Sequence, residues 1–325
     1  MKKQLLAAAV AATMTSVAMA DISLTGDAKV NYTNVDSATE ASDQNTFKHD
    51  INLTLQGSNG DTGVLVRTST KEENYADNSP STALTLEDAY VTSKIGDVNV
   101  KFGQYNNTSD SMISNATNGT INSGRFTADT TIGGVKVTYV DQNASAESVI
   151  LSGEFNGISV SHKMAGAGAG STNDYTDTKL SGSVAGVDLY YRSKNFDNAG
   201  TSTDSDMEVF KIGADLNGVA VTYAQAEADH ASDTFSMDSE FGEYSSVNNT
   251  KGVKAKTSIA GNGVTVAVYE IGETATAATD DYTKFVITRP LASGATFEAT
   301  YTDKDAAAGS TSDSTTLDLE LAVKF

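Results

Sequence analysis

The stretch Thr315-Thr-Leu-Asp-Leu-Glu-Leu-Ala-Val-Lys-Phe325 alternates apolar and polar residues and ends on an aromatic residue. Successive side chains of a β-strand point to opposite faces, so this pattern predicts a strand with one apolar face, which carries Leu317, Leu321 and Phe325. The opposite face carries Asp318. A strand with one apolar and one charged face is typical of a membrane β-barrel, whose wall has lipid on one side and water on the other.

Similar alternating runs recur along the chain in pairs that are joined by short turns. Residues 149–155, for example, lead into Asn156-Gly157, and Ile158 and Val160 follow on the same face of the next run. An Asn-Gly or Gly-Gly pair between two alternating runs is the strongest short-range signal for a β-hairpin. The chain therefore consists largely of antiparallel hairpins.

Counting these hairpins predicts the number of strands. Eight short hairpins, an opening strand at 22–34 and the closing strand together make 18 strands. The hairpin that contains residues 125–131 has the weakest signal, so a barrel of 16 strands is the alternative. Bacterial barrels of this kind have an even number of strands, and those of 16 to 18 strands enclose an aqueous channel.

The remaining connections are long, polar and irregular, and they alternate strictly with the short turns. A soluble β-sandwich has no reason to separate short turns from long loops in this way, whereas outer-membrane barrels have short turns at one end and long loops at the other. We therefore predict an all-β fold, a closed transmembrane antiparallel barrel. The predicted long loops are 35–45, 72–83, 106–123, 141–147, 165–177, 195–208, 226–249, 272–281 and 303–313.

The first twenty residues have the features of a secretory signal peptide. Lys2 and Lys3 precede a short apolar run at 5–13, and Ala18-Met-Ala20 has the small residues of a cleavage site. The apolar run is shorter than the roughly 20 residues that a membrane-spanning helix needs. We expect cleavage after residue 20 and a single barrel domain over 21–325.

Composition excludes several classes of function. The chain has no Cys, which rules out disulfides and a thiol nucleophile, and its net charge of −20 makes nucleic acid an improbable partner. No Gly-x-Ser-x-Gly motif is present, and none of the three His residues has a catalytic partner at a recognisable spacing. We expect neither an enzyme nor a bound metal or cofactor.

Charge is strongly segregated. The nine long loops contain 27 acidic residues and one basic residue, Lys304. Most cations of the strands alternate with apolar residues, and a lysine that faced lipid at mid-membrane would cost about 2–4 kcal/mol. These cations therefore face water, and we predict that they line a pore. The residues placed there by alternation are Arg67, Lys101, Lys136, Lys211, Lys254, Lys256 and Lys284, with Lys163, Lys179 and Arg192 in less regular runs.

The acidic loops have two interpretations. One is a solvated, mutually repelling surface, and the other is divalent-ion bridging to lipopolysaccharide or to neighbouring loops. The acidic run 229–243 lacks the spacing of an EF-hand, so no specific Ca²⁺ site is predicted. The expected surroundings are outer-membrane lipid and lipopolysaccharide.

The chain resembles the Gram-negative general diffusion porins over nearly all of residues 21–325. Each matching motif is short, but the motifs occur in the order found in that family. The stretches that carry the resemblance are Glu87-Asp-Ala-Tyr-Val91, Gly96-Asp-Val-Asn-Val-Lys-Phe-Gly-Gln104, Asn122-Ser-Gly-Arg-Phe126 with Gly134 and Tyr139 after it, and 317–325.

The resemblance implies that residues 106–123 form the third loop, which folds inward and narrows the pore, and that Arg125 lies on the wall facing it. The family is mostly trimeric and mostly has 16 strands, against the 18 counted here. Its third loop usually carries several acids, whereas Asp110 is the only one here. The candidate constriction residues are Asn107, Asp110, Ser111 and Asn115.

The predicted function is a water-filled channel for passive diffusion of small hydrophilic solutes and ions. Lysines and arginines on the wall, opposite a nearly neutral third loop, favour anions at the constriction, whereas the acidic loops enrich cations at the mouth. Two alternatives remain open at this point. They are a substrate-specific channel with a saturable site and a non-conducting structural or adhesive barrel.

Overall fold

In this computed structural model, the described residues form twenty β-strands joined by turns and loops, with no helix among them. A search of the same residues found no helical segment of the length and apolar character that crossing a membrane requires. The described residues are 21–38, 44–70, 84–105, 124–142, 147–166, 173–198, 205–229, 235–237, 241, 244–272, 279–307 and 313–325.

The strands all run antiparallel to those with which they pair. They are β1 (Asp21–Ser37), β2 (Gln44–Asn59), β3 (Thr62–Thr70), β4 (Leu84–Ile95), β5 (Val98–Gln104), β6 (Gly124–Ile132), β7 (Val135–Gln142), β8 (Ser148–Phe155), β9 (Ile158–Ala165), β10 (Asn173–Val184), β11 (Val187–Asn198), β12 (Ser205–Asp215), β13 (Ala220–Ala228), β14 (Phe235–Met237), β15 (Tyr244–Val247), β16 (Asn249–Ile259), β17 (Asn262–Gly272), β18 (Asp280–Pro290), β19 (Thr296–Asp305) and β20 (Ser314–Lys324).

Eighteen of these strands form one sheet, and β14 and β15 form a separate two-stranded hairpin. The sheet closes on itself because β1 pairs with both β2 and β20. The predicted closed barrel of 18 strands is therefore confirmed, and the alternative of 16 is wrong. The hairpin with the weakest sequence signal is present, since β6 and β7 pair from Arg125↔Gln142 to Ile132↔Val135.

The closing strand meets the opening strand over its whole length. Asn31 pairs with Glu320, and beyond the strand the backbone N–H of Gly26 donates to the carbonyl oxygen of Phe325 at 2.8 Å. A Cβ added at Gly26 would lie 2.9 Å from the Phe325 ring. Gly26 thus provides the space that the aromatic end of the chain occupies at the seam of the barrel.

The predicted hairpin turns have the geometry that their residues favour. In Asn156-Gly157 both residues have positive φ, 51° and 79°, as type I′ turns require. Asn217-Gly218 has the same conformation. One turn differs from the prediction: it lies at Ala260-Gly261 rather than at 261–263, because β17 already begins at Asn262.

Each strand has one apolar and one polar face, as the alternation predicts. The apolar face carries large side chains that are well exposed, such as Phe155 at 74% and Phe102 at 65%. Lys101 lies on the other face of the same strand as Phe102. Below, the face that carries the exposed apolar residues is called the apolar face, and the opposite one the polar face.

Some strands are longer than predicted. Asp177, which we assigned to a loop, lies in β10, and Lys304 lies in β19. Backbone hydrogen bonding continues into these polar stretches because it does not depend on side-chain polarity, whereas the sequence prediction ended each strand where apolar alternation stopped. The predicted signal peptide, 1–20, and the predicted constriction loop, 106–123, both lie outside the described residues.

Candidate functional site

The nine predicted pore-lining cations all lie in strands of the large sheet. Alternation places them on the polar face: Lys211, for instance, lies between Phe210 and Ile212, which are 42% and 37% exposed. Their role in lining a pore stays a prediction. By strand they are Arg67 on β3, Lys101 on β5, Arg125 on β6, Lys136 on β7, Arg192 on β11, Lys211 on β12, Lys254 and Lys256 on β16, and Lys284 on β18.

Three of these cations, Lys101, Arg125 and Lys211, lie against tyrosine rings. The Nζ of Lys101 is 3.7 Å from the ring centroid of Tyr90 and 3.8 Å from that of Tyr105. The guanidinium of Arg125, which is 5% exposed, lies 5.3 Å from the ring of Tyr105. A ring attracts a cation through its quadrupole and carries no net charge, so these contacts hold the cations in place without neutralising them.

A glycine on the neighbouring strand provides the space for Tyr90. Gly103 pairs with Tyr90, and a Cβ at Gly103 would lie 2.2 Å from the carbonyl oxygen of Ala89 and 2.6 Å from the Cα of Tyr90. Its φ of 141° is also one that other residues rarely adopt. This position therefore requires glycine, and its absence of a side chain keeps Tyr90 beside Lys101.

A second group of cations and rings lies on β9 to β11. The Nζ of Lys194 is 4.8 Å from the ring of Tyr175 and 4.6 Å from that of Phe196, and Lys163 donates a hydrogen bond to the Tyr175 hydroxyl. On β12, Lys211 lies 4.6 Å from the Tyr190 ring. The sequence prediction did not include Lys194, although the predicted loop begins only at residue 195 and Lys194 continues the alternation of Arg192.

Arg192 forms a buried ion pair with Asp177. Its Nε donates to Oδ1 at 2.9 Å and its Nη2 to Oδ2 at 2.6 Å, with both side chains less than a tenth exposed. Such a two-point contact fixes the guanidinium plane. Asp177 was predicted to lie in a loop, and its position fifteen residues before Arg192 in a hairpin was the available signal for this ion pair.

From β18 to β4, around the closing seam, the polar face has ion pairs. Lys29 pairs with Glu320 at 3.7 Å, Arg67 with Asp88 at 2.8 Å, and Lys304 with Asp280 at 2.8 Å. We call this region the ion-paired wall. The polar face of β5 to β12, where Lys101, Arg125, Lys163, Lys194 and Lys211 lie on aromatic rings, is the ring-held wall. It also contains two ion pairs, Arg192 with Asp177 and Lys136 with Asp129 at 3.3 Å.

The ion-paired wall also contains an acidic cleft. Asp27 and Asp50 line it together with Glu87, and the side-chain amide of Asn52 donates to Asp27 at 3.1 Å and to Asp50 at 2.9 Å. Within the described part of the chain, no group of three or more His, Cys, Asp or Glu residues has the arrangement of a metal site.

A buried apolar cluster covers the polar face between β12 and β18. Phe241, from the segment between β13 and β16, is 2% exposed and packs on wall residues that are almost completely buried. The Nζ of Lys284 donates to the backbone carbonyl oxygen of Phe241 at 3.1 Å. The wall residues of this cluster are Met207, Val209, Ala224, Ala226, Ala228, Ala267, Tyr269 and Ile271.

The sequence analysis treated 226–249 as a polar loop and missed this cluster. The available signal was the row of Ala224, Ala226 and Ala228, which occupies polar-face positions where neighbouring strands have charged residues. Small apolar residues at such positions indicate that another part of the chain covers them. Phe241 and Val247, from the segment between β13 and β16, therefore pack against the wall.

Comparison with known proteins gives similarity in structure only. No family model matches the chain, and no curated protein matches it in sequence. Among solved structures, OccK11 (OpdR) of Pseudomonas aeruginosa is 9% identical with a TM-score of 0.67, covering 94% of this chain and 96% of that one. OccK10 (OpdN) of the same organism is 9% identical with a TM-score of 0.70, covering 94% and 99%.

A third structure, of OpdK from Pseudomonas aeruginosa with vanillate, is 10% identical with a TM-score of 0.65, covering 94% of this chain and 99% of that one. These similar structures are outer-membrane channels. At this level of identity, the similarity establishes the fold. The chain therefore has the 18-stranded barrel fold of outer-membrane channels.

Proposed function

We propose that the protein forms a water-filled channel in a bacterial outer membrane, through which small hydrophilic solutes and ions diffuse passively. The observation that carries this proposal is the row of cations on one face of a closed barrel whose other face is apolar and exposed. Because a lysine facing lipid at mid-membrane costs about 2–4 kcal/mol, the polar face is the inner one and surrounds water.

The cations of the ring-held wall bias this channel toward anions. Their charges are held at fixed places by Tyr90, Tyr105 and Tyr175, which attract them without cancelling them. A solute anion that passes this wall therefore meets a positive potential, which is stronger where the passage is narrow and water is scarce.

The test is the ion selectivity of the purified protein in planar lipid bilayers. Replacing Lys101 and Arg125 together by Glu should move the reversal potential in a KCl gradient toward cation selectivity. An unchanged reversal potential would contradict their place in the lumen. A wild-type protein that inserts but conducts no current would favour the structural or adhesive barrel instead.

A substrate-selective channel is the second candidate. It is favoured by the apolar cluster, since a channel that only sieves solutes has no need for stacked rings on its inner wall. One structurally similar channel, OpdK, has been solved with vanillate, an aromatic acid. Saturation of the current or of solute uptake with rising solute concentration would distinguish this candidate from simple diffusion.

The assembly that the resemblance to general porins implies and the surroundings expected of an outer-membrane barrel belong to the same proposal. We expect a homotrimer in the outer membrane, with lipid and lipopolysaccharide around the apolar face. The mass of the detergent-solubilised protein, measured by light scattering with the detergent contribution subtracted, tests the trimer directly.

A further inference from the structure

Phe241 occupies a stack of aromatic rings on the polar face of β17 and β18. Its ring lies 4.9 Å from that of Tyr269 at an angle of 11°, and Tyr269 lies 5.1 Å from Tyr282 at 3°. Nearly parallel rings at these separations have the geometry in which free planar rings also stack. Two of the three rings belong to the barrel wall and the third to the segment that covers it.

The wall part of the stack is built into the sheet. Gly252 pairs with Tyr269 on the neighbouring strand, and a Cβ at Gly252 would lie 2.4 Å from the Cβ of Tyr269. The missing side chain leaves room for Tyr269 beside the wall. Ala224 and Ala267 nearby have the smallest apolar side chains, so a flat ring finds space above them.

A cation beside the stack binds the backbone of Phe241. The Nζ of Lys284 donates to the Phe241 carbonyl oxygen at 3.1 Å. An ammonium group forms a stronger hydrogen bond with a carboxylate than with a neutral carbonyl, roughly twice as strong. A planar ring that bears a carboxylate could therefore both join the stack and bind the lysine. Its carboxylate would form a stronger hydrogen bond with the lysine than the Phe241 carbonyl does.

We propose that Tyr269, Tyr282 and Lys284 form a binding site for a planar ring bearing a carboxylate, and that Phe241 occupies this site as an intramolecular competitor. The proposal rests on the proposed channel, since a solute reaches the site through the lumen. A competitor that is part of the chain lowers the apparent affinity by the fraction of time for which the site is vacant. Removing the Phe241 ring should therefore strengthen binding.

The experiment measures block of the ionic current by benzoate in planar bilayers that contain the purified protein. In the wild type we expect saturable block by benzoate, and weaker block by cyclohexanecarboxylate, which has the same charge but no planar ring. Acetate, which has no ring, should not block at the same concentrations. Phe241→Ala should lower the benzoate concentration for half-block about tenfold, and Tyr269→Leu should raise it.

Phe285→Ala is the matched control, because Phe285 lies on the apolar face of β18 and should leave half-block unchanged. Where Phe241→Ala does not fold, Phe241→Leu keeps apolar volume without a planar ring and should shift half-block in the same direction by a smaller factor. Equal half-block in the wild type and in the folded Phe241 variant would overturn the proposal, as would equal block by benzoate and cyclohexanecarboxylate.

Failure of the ring site and failure of the channel give different results. If the wild type conducts but neither substitution changes benzoate block, the channel stands and the ring site is rejected. If the wild type conducts no current, the channel is rejected. In that case, calorimetry measures benzoate binding to the detergent-solubilised wild type and to the Phe241 variant. Tighter binding by the variant supports the ring site.

Discussion

The ring-held wall and the ion-paired wall both carry cations, but their neighbours differ. On the ion-paired wall, Lys29, Arg67 and Lys304 each contact a carboxylate, which cancels most of their charge at a distance. On the ring-held wall, Lys101 and Lys211 lie over aromatic rings, which position a cation and leave its charge intact.

In the proposed channel, this difference allows a strongly acidic chain to present a positive surface to solutes. The net charge of −20 belongs to the whole protein, whereas a passing solute senses the nearest charges within about 10 Å at 0.1 M salt. Most of the acids lie in the predicted loops. The lumen potential therefore depends on which wall cations are neutralised locally, and the following predictions test that comparison.

The largest expected effect comes from breaking the buried ion pair that adjoins the ring-held cations. Arg192→Ala leaves the carboxylate of Asp177 buried without its guanidinium and should lower the free energy of unfolding by about 3–5 kcal/mol. Arg67→Ala on the ion-paired wall is the matched control. The Arg67 side chain is 39% exposed but that of Asp88 only 11%, so the loss should be smaller than for Arg192→Ala, about 1–3 kcal/mol.

The measurement is urea unfolding of each variant in lipid vesicles. The double variant Arg192→Ala/Asp177→Ala should lose less stability than Arg192→Ala alone, because no buried charge remains unpaired. Similar losses for Arg192→Ala and Arg67→Ala would show that the two ion pairs do not differ in the way that their burial indicates.

The second-largest expected effect comes from displacing the Tyr90 ring, which lies against the ring-held wall. Gly103→Ala brings a Cβ to 2.2 Å from the carbonyl oxygen of Ala89 and should destabilise the barrel by about 1–3 kcal/mol. Gly213→Ala is the control, since its Cβ would meet its nearest neighbour at 3.4 Å. Unfolding midpoints measured side by side check this, and an equal midpoint for both variants would refute the need for glycine at 103.

Removing one lysine charge from each wall tests the comparison of the two walls through ion permeability. Lys101→Gln should reduce the ratio of anion to cation permeability about two- to fivefold, since a unit charge at 4 Å in water contributes about 1 kcal/mol. Lys29→Gln should change it much less, because Glu320 already offsets Lys29. Reversal potentials in a KCl gradient measure both, and a larger shift for Lys29→Gln would invert the assignment of the two walls.

The smallest expected effect comes from removing an aromatic ring while the lysine charge is kept. Tyr90→Leu keeps Lys101 and removes one of its two rings, so the unfolding free energy should fall by about 0.5–1 kcal/mol while ion selectivity changes little. Tyr301→Leu, on the apolar face, serves as the control for loss of a tyrosine. A selectivity change as large as that of Lys101→Gln would show that the ring, and not the lysine charge, sets the potential.

Much of the fold could be predicted because the information is local. The alternation in 315–325 and the Asn-Gly pairs specify strands and turns within a few residues, and their count led to 18 strands. Strand ends were less predictable, as Asp177 and Lys304 show, because backbone pairing continues after apolar alternation stops. The polar-face positions of Lys101 and Lys211 also followed from alternation alone, while their pore-lining role awaits the experiments above.

By itself, the sequence determined the number of strands, their antiparallel order and the face on which each cation lies, since a period of two is a property of a single strand. The tertiary structure decided which groups meet across strands: Lys101 with Tyr90 and Tyr105, Arg192 with Asp177, and Phe241 with Tyr269. The first two sets of contacts depend on the register between neighbouring strands, and the third depends on where Phe241 packs against the wall. The alternation within one strand encodes neither.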